Sequence, residues 1–485
     1  MKRFCVAFAT TLISVVANAQ YWKAVGLGTL GPTSVQTLYG DSISDRLLAG
    51  GTFLHILNEN DTVLAFGQAA WNGQRWDSLA TRIQADGGGE GAQQTFWFLR
   101  FQNQLYACGH YGFLNNEGQV NRSLARLNEG TLHWENLECI NPSIGGMETL
   151  VPKEPQATLY ATGYMGSICG YPESCVFRYD GSAFHVWEPF NLIPQGLNDA
   201  YVGTVFDFQG KTYMSCSLPD PVDGSGFVSF LRWNGTAWEH VPGWNTLSPI
   251  KDISIRNDTL YVAGTFTLAD GGPGNLVAAF SNEQWSDMGG GLFYNPVPMS
   301  GVVWDLEWFH GKLWACGQFD QAANLPAHSI AHWDGHRWCV PPGDFRWIFN
   351  SQSKLLDMAV WRDSLYVCGG ILTVDWDTMK QVVQWIGGDA VDDCSTVGIG
   401  ETTQPVPDGH LLITPLPGED SWTVRFPHPG TWKLEVYDAT GRFVKHIHTE
   451  GQAIEFNLAS AAPGIYIVHT KDVHGSAWVR KIRNP

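Results

Sequence analysis

A unit of short apolar segments, separated by turns, recurs along most of the chain. Its clearest copy begins at Leu260-Tyr-Val-Ala-Gly-Thr-Phe266 and continues from Phe280 to Trp285 and Gly291. The unit has an apolar segment that ends in glycine, a loop, and a second apolar segment that ends in an aromatic residue. A turn follows, and a tryptophan opens the third segment. Apolar runs rich in β-branched and aromatic residues, bounded by Gly, Asn and Asp, predict β-strands.

The first segment of this unit occurs seven times. Its final glycine, or the residue in the glycine's place, lies at Gly51, Gly109, Gly163, Cys216, Gly264, Gly317 and Gly369. A period of about 50 residues with several strands per repeat is typical of β-propeller blades. In four copies the second segment is followed by Asn72-Gly73, Asp180-Gly181, Asn234-Gly235 or Asp334-Gly335. These pairs predict tight hairpins, whose central residues need positive φ.

The beginning of the chain supplies a strand that the last repeat lacks. Tyr21-Trp22-Lys-Ala-Val-Gly26 is similar to the outer strand that begins at Trp285, yet it precedes the first complete repeat. The seventh repeat ends at Trp385 without such a strand. We therefore predict an all-β fold in which residues 20–397 form a seven-bladed β-propeller, closed by pairing of the strand at Trp22 with the seventh blade. Closure removes free sheet edges, which invite aggregation.

The repeated aromatic residues and most cysteines are interpreted as packing residues. The chain has 22 tryptophans, and a tryptophan at a fixed place in each blade buries area against the next blade. Four cysteines at repeated positions are predicted to be small buried side chains: Cys108, Cys216, Cys316 and Cys368. Cys169 and Cys175 differ, because both lie in one short loop. A local disulfide between them is predicted, since an oxidising compartment permits it.

Residues 1–19 have the pattern of a secretory signal peptide. A basic start at Lys2 and Arg3 precedes an apolar run from Phe4 to Val16 and a small-residue site that ends at Ala19. We predict cleavage between Ala19 and Gln20. The apolar run is shorter than the roughly 20 residues of a membrane-spanning helix, and no transmembrane helix is predicted.

The charge makes a nucleic-acid partner improbable, because the formal net charge of −18 repels phosphate. Three loops carry clustered oxygen ligands, at residues 58–61, 220–224 and 270–272. None has the alternating spacing of a calcium loop, so we interpret them as turns and predict no metal site and no cofactor.

The pattern changes after Trp385. Residues 398–409 have the composition of a linker, and residues 410–485 contain seven short predicted strands, which indicate a small β-sandwich. Three stretches of this tail are Val436-Tyr-Asp-Ala-Thr-Gly-Arg-Phe-Val444, Phe456–Val468 and the basic Val479-Arg-Lys-Ile-Arg483. They resemble the type A C-terminal sorting domain of the type IX secretion system of the Bacteroidota. The resemblance implies the type IX machinery as a partner, export across the outer membrane, removal of the tail, and a secreted or outer-cell-surface location.

The repeats resemble kelch and galactose-oxidase-like propellers in their blade pattern. No Tyr is followed by His, the pair that helps to hold copper in oxidases of that architecture. The zinc-helix, nucleophile-elbow and phosphate-loop motifs are also absent from the sequence. The first hypothesis is a secreted or surface propeller that binds an extracellular protein or glycan and is not an enzyme. The alternatives are a polysaccharide hydrolase or lyase, with acids or histidines that converge at the ring's mouth, and a structural adhesin component. Catalytic and binding residues stay unknown at this point.

Overall fold

The structure is a computed structural model of the 485-residue chain. It describes residues 21–30, 34–80, 94–114, 120–137, 140–141, 147–153, 158–168, 174–187, 189–190, 200–224, 226–267, 274–286, 288–295, 301–347, 352–387, 390, 392–394, 412–415, 421–438, 442–458, 461–462, 464–472 and 477–484. The predicted signal peptide, its Ala19–Gln20 cleavage site and the predicted linker lie outside these residues. The chain divides into two compact units, Met1–Val397 and Gly398–Pro485.

The described residues form antiparallel strands and contain no α-helix. Within the described ranges, accordingly, no helix is long and apolar enough to span a bilayer. The first unit contains seven consecutive groups of four strands, called sheets 1 to 7 here in chain order. Successive strands of each sheet pair with one another.

The strands of sheets 1 to 4 have the following bounds. Sheet 1 contains Val35–Asp41, Arg46–Gly51, Gln68–Trp71 and Trp76–Ser78; sheet 2 contains Gln94–Phe101, Gln104–Leu114, Val120–Asn128 and His133–Asn136. Sheet 3 contains Met147–Lys153, Thr158–Ile168, Ser174–Tyr179 and Phe184–Val186, with the short Ile140–Asn141 beside its second strand; sheet 4 contains Tyr201–Phe208, Lys211–Pro219, Phe227–Trp233 and Trp238–His240. Sheets 3 and 4 are linked by one residue pair, Tyr164 and Tyr201.

The remaining strands of the first unit complete three sheets and three small additions. Sheet 5 contains Ile250–Arg256, Thr259–Thr267, Asn275–Ser281 and Gln284–Ser286; sheet 6 contains Val302–Phe309, Lys312–Gln318, Ile330–Trp333 and Trp338–Val340, with Asp393–Cys394 at its edge; sheet 7 contains Leu355–Trp361, Ser364–Gly369, Val382–Trp385 and Trp22–Ala24. The small additions are His55–Leu57 with Thr62–Leu64, Leu292–Phe293 with Gln321–Ala322 and Leu325–Pro326, and Phe345–Arg346 with Thr373–Val374 and Asp377–Thr378.

The fourth strand of sheet 7 comes from the beginning of the chain. Trp22 pairs with Trp385, and Ala24 pairs with Val383. The strand pairing predicted from the sequence is therefore present. The first strands of sheets 1 to 7 also contact one another in succession, and the first strand of sheet 7 contacts that of sheet 1.

Seven apolar clusters lie between consecutive sheets, and one of them joins sheet 7 to sheet 1. That cluster contains Leu47 and Ala69 from sheet 1 together with Tyr366 and Val382 from sheet 7. Each sheet is thus buried on both faces by its neighbours, which is why its second and third strands are almost continuously apolar.

The tryptophan of the fourth strand makes the same contact in five sheets. Its indole N–H donates to a backbone carbonyl that follows the fourth strand of the preceding sheet. The pairs are Trp22 to Pro342 (2.7 Å), Trp76 to Val25 (2.9 Å), Trp238 to Pro189 (2.9 Å), Trp285 to Pro242 (2.8 Å) and Trp338 to Met288 (2.6 Å). These tryptophans hold neighbouring sheets together, as their interpretation as packing residues requires.

The Asn-Gly and Asp-Gly hairpins are present, but their turns differ from the predicted ones. In the turn of sheet 1 only Gly73 has positive φ, and the Asn72 side chain accepts hydrogen bonds from the backbone N–H groups of Gln74 and Arg75. The same bonds form at Asp180, Asn234 and Asp334. Two adjacent residues with positive φ occur instead between first and second strands, as at Gln102-Asn103. The side chain of the aspartate or asparagine closes the turn through these hydrogen bonds, and the backbone of that residue does not need a positive φ.

The second unit forms one five-stranded sheet in its described residues, where the sequence predicts seven strands. Its strands are Leu412–Pro415, Ser421–Asp438, Phe443–Asn457, Gly464–Asp472 and Ala477–Asn484. The break predicted near residues 427–430 is a register shift within the long strand Ser421–Asp438, which joins two predicted strands. Phe443–Asn457 likewise joins two predicted strands. Trp432, which is fully buried, stacks on Phe426 at 4.6 Å in the core of this unit.

Candidate functional site

A cavity of about 370 Å³ lies among the first strands of sheets 1, 2, 5, 6 and 7. Its walls carry four acidic side chains, Asp252, Asp305, Glu307 and Asp357, which come from three consecutive sheets. This is the place in the described structure where ionisable groups from several repeats meet around an open space.

A β-bulge at the same place in every sheet determines which side chains line this cavity. In each of the seven sheets the register between the first and second strands shifts by one residue. The residues directly after the shift are Thr37, Trp97, Thr149, Thr204, Asp252, Asp305 and Asp357. A bulge changes the direction of the following side chain and bends its strand. Five of these seven residues line the cavity.

The three aspartates also join consecutive sheets through backbone hydrogen bonds. Oδ2 of Asp252 accepts from the N–H of Leu306 in sheet 6 at 2.8 Å. Asp305 in turn accepts from Met358 of sheet 7 at 2.8 Å, and Asp357 accepts from Leu38 of sheet 1 at 2.7 Å. Each carboxyl group therefore has a structural role at the border of the cavity, because it satisfies an N–H group of the next sheet.

Burial raises the pKa of all four carboxyl groups. The pKa is about 6 for Asp252 and about 7 for Asp357 and Glu307, while Asp305 is raised well above its ordinary value. Desolvation is the main cause in each case, and the charges of the neighbouring carboxylates add to it at Asp305 and Glu307. Carboxyl groups with pKa values of about 6 to 7 are partly protonated near neutral pH, so the group both donates and accepts hydrogen bonds there.

Glu307 is the acid best placed to meet a ligand. It follows Asp305 by two residues on one strand, so both side chains lie on the same face. A hydrogen bond from the backbone N–H of Trp308 acts to lower its pKa. Among the described residues, no bond joins its carboxyl group to another sheet.

Two half-buried aromatic residues also line the cavity, Tyr39 of sheet 1 and Trp97 of sheet 2. The Tyr39 hydroxyl accepts a hydrogen bond from the N–H of Arg100 at 3.2 Å. A cavity lined by both aromatic residues and carboxyl groups can hold a ring that has an apolar face and hydroxyl groups at its rim.

The oxygen-rich loops behave as turns in the described residues. Asp220 accepts from the N–H of Val222 at 2.8 Å and contacts His240 Nε2 at 2.6 Å. Ligand-type atoms of Asp220, Asp223 and His240 lie within 4.8 Å of one another, a juxtaposition that the sequence does not reveal. These contacts are those of an aspartate that caps a turn and a histidine that donates to it. The loop at residues 270–272 lies outside the described residues.

The structure contains a disulfide that the sequence analysis did not predict. Cys339 and Cys394 form a disulfide across 55 residues. Cys108, Cys216, Cys316 and Cys368 are buried as predicted. Cys169 lies outside the described residues, so the Cys169–Cys175 disulfide stays a prediction.

Comparison with known families identifies the end of the chain. Residues 413–483 match the model of the secretion system C-terminal sorting domain. The tail carries a type IX sorting domain. This domain implies secretion to the cell surface, so the chain is a secreted or cell-surface protein. No curated protein shows detectable sequence similarity to the chain.

Two solved structures are similar to the chain at low identity. PorZ, described as an essential bacterial surface component of the type IX secretion system of Porphyromonas gingivalis, is 10% identical with a TM-score of 0.37; the match covers 93% of this chain and 70% of PorZ. The extracellular domain of the putative hybrid two-component system BT4673 from B. thetaiotaomicron is 9% identical with a TM-score of 0.39, and the match covers 96% of this chain and 59% of that one. These TM-scores do not establish a shared fold.

Proposed function

We propose that sheets 1 to 7 are the blades of a seven-bladed β-propeller with kelch-like repeats, formed by residues 20–397. The succession of contacts between first strands, and the apolar cluster between sheets 7 and 1, support a closed ring. Trp22 supports it as well, because it makes in sheet 7 the contact that Trp76, Trp238, Trp285 and Trp338 make elsewhere. The cavity then lies at the axis of the ring. Propellers commonly enclose such a central channel.

We further propose that this propeller binds an extracellular glycan in the central cavity. The observation that carries the proposal is the cavity itself, which is lined by carboxyl groups of sheets 5 to 7 together with Tyr39 and Trp97. The apolar face of a sugar ring packs on aromatic side chains, and its hydroxyl groups need both donors and acceptors. Carboxyl groups that are partly protonated near neutral pH provide both. Export to the cell surface brings the cavity into contact with extracellular glycans.

A glycan array probed with the purified full-length secreted protein tests this proposal. The glycan that binds is then titrated against Glu307→Gln, which removes the charge and keeps the shape. We expect binding at least about tenfold weaker, a typical loss when a buried hydrogen bond to a charged group is removed. Asp363→Asn is the matched control, because Asp363 is an acid 86% exposed at a hairpin of sheet 7. Equal affinity of the Glu307→Gln variant and the wild type would refute the cavity as the binding site.

The raised pKa of Glu307 favours hydrolysis of a polysaccharide as the second candidate. A carboxylic acid with a pKa of about 7 can donate a proton to a leaving oxygen near neutral pH. Nearby Asp252 or Asp357 would then supply the second carboxyl group that glycoside hydrolysis requires. Release of new reducing ends from a bound polysaccharide, abolished in Glu307→Gln, would favour the hydrolase over the binding protein.

The two ends of the chain fit export. We propose that residues 1–19 direct the chain to the periplasm and that the tail, as a type A sorting domain, is recognised by the type IX machinery. Support comes from the match of residues 413–483 to the sorting-domain model.

A further inference from the structure

The chain returns to sheet 6 after it has completed sheet 7. The N–H of Ile386 donates to the carbonyl of Tyr21 at 2.9 Å, directly beside the N-terminal strand. Asp393–Cys394 then pairs with the fourth strand of sheet 6, where Cys394 lies opposite Cys339. We call the described residues 386–387, 390 and 392–394 the return segment.

The return segment is attached to sheet 6 by more than its strand pairing. The Cys339–Cys394 disulfide links the two strands covalently. Next to it, Oδ2 of Asp392 accepts from Lys312 Nζ at 2.9 Å and lies 2.8 Å from Nε2 of the fully buried His332. Burial alone would raise the pKa of Asp392, but the hydrogen bonds from His332 and Lys312 lower it below its ordinary value. The carboxylate is therefore held in its charged form at this place.

The attachment lies beside the point where the N-terminal strand enters sheet 7. The Trp22 indole N–H donates to the carbonyl of Pro342, three residues after Cys339. Trp22 also packs against Phe345 at 5.1 Å and Trp385 at 4.8 Å. The disulfide thus closes a covalent loop, residues 339–394, that contains three strands of sheet 7 and the residues that contact the fourth.

The N-terminal strand needs such support because it is short. It contributes three residue pairs to sheet 7 and no covalent connection to its neighbours there. A short terminal strand with few hydrogen bonds opens at low cost unless its surroundings hold it. Three residues within the disulfide loop contact its tryptophan: Pro342, Phe345 and Trp385.

We propose that the Cys339–Cys394 disulfide is a lock that keeps the N-terminal strand in sheet 7, independently of the sorting tail. The lock ends at Cys394, before the second unit begins at Gly398. The sheet therefore stays complete whether or not the tail is attached. Its physical basis is that the cross-link limits how far sheet 6 and the return segment can separate when the N-terminal strand opens.

Hydrogen–deuterium exchange of the full-length protein tests the lock. In the oxidised protein, residues 22–24 and 382–385 should exchange slowly. Reduction of the disulfide, or the double variant Cys339→Ser with Cys394→Ser, should raise their exchange rates at least about tenfold while sheets 2 to 4 keep theirs. Reductant added to the double variant is the control and should change nothing more. Should the double variant fail to fold, reduction of the folded wild type supplies the same comparison.

Two outcomes would overturn the lock. Equal exchange of residues 22–24 in the oxidised and reduced proteins is the first, and a rise spread over all seven sheets is the second. A protease site inserted between residues 398 and 409 separates the role of the tail. Cutting the oxidised protein there should leave exchange of the N-terminal strand unchanged, and an increase would assign its retention to the tail instead.

Discussion

Replacing Trp22 with alanine is expected to lower the free energy of unfolding of the first unit by about 3 to 5 kcal/mol, the usual cost of truncating a buried tryptophan. Trp22 is 1% exposed and lies between Phe345 and Trp385. The substitution leaves a cavity there and removes the donor for the Pro342 carbonyl. Chemical denaturation followed by far-UV circular dichroism measures the effect without relying on tryptophan fluorescence.

The matched control is Trp376→Ala. Trp376 is 72% exposed at the tip of a small hairpin, where its φ is +73°. Its loss should change the unfolding free energy by no more than about 0.5 kcal/mol, as is usual for exposed positions. If Trp22→Ala were as mild as this control, the N-terminal strand would not be an integral part of sheet 7.

Replacing Asp305 with asparagine is expected to raise the unfolding free energy at pH 8 by about 1 to 3 kcal/mol, because an ionised carboxylate buried beside other acids is costly. The pKa of Asp305 is raised in the folded protein by burial and by the charges of Asp357, Asp252 and Glu307. Asparagine keeps an oxygen that can accept from the N–H of Met358 and carries no charge.

The sign of this predicted change in unfolding free energy follows from how a raised pKa makes stability depend on pH. A carboxyl group with a raised pKa binds more protons in the folded protein than in the unfolded chain. Its stabilising contribution is complete below the unfolded pKa near 3.8 and is lost as the pH rises through the raised pKa of the folded protein. The stability difference between Asp305→Asn and the wild type should therefore grow from pH 4 to pH 8.

Denaturation curves of both proteins across this range measure that difference, with Asp377→Asn at an exposed strand position as a control that should show none. A variant less stable than the wild type at pH 8 would contradict the prediction. It would mean that the ionised carboxylate is well solvated or balanced by a cation.

The repeat could be predicted because it depends on local patterns. The seven repeated segments, six of which end in glycine, and the tryptophans after the turns mark strands whose packing requires those residue types at fixed positions. The pairing of Trp22 with Trp385 followed from counting, because one strand was missing at one end and one was present at the other.

The acids of the cavity were not predicted because they lie in the first strand of each sheet, outside the repeated unit that the sequence shows most clearly. Asp252, Asp305 and Asp357 each lie twelve residues before the glycine of their own repeat. In sheets 1 and 3 a longer first hairpin changes that distance. That the side chains meet at one cavity depends on how the sheets pack beside one another and on the bulge, which have no local sequence signature.

The Cys339–Cys394 disulfide was missed for a related reason. Its cysteines are 55 residues apart and belong to no common motif. Only the return of the chain to sheet 6 brings them together. In the tail, Pro427 and Pro429 suggest a break between strands, yet the register shift there lets one strand continue.

The recurrent bulge marks one position in each repeat where the chemistry of the cavity can change. The side chain after the bulge lines the cavity in five sheets, and in three of them it is an aspartate that also accepts a hydrogen bond from the next sheet. A single codon change at this position can therefore alter selectivity, provided that the new side chain still accepts that bond. A descendant of this chain with asparagine in place of the three aspartates would keep the bonds and present a less acidic interior to a different class of molecule.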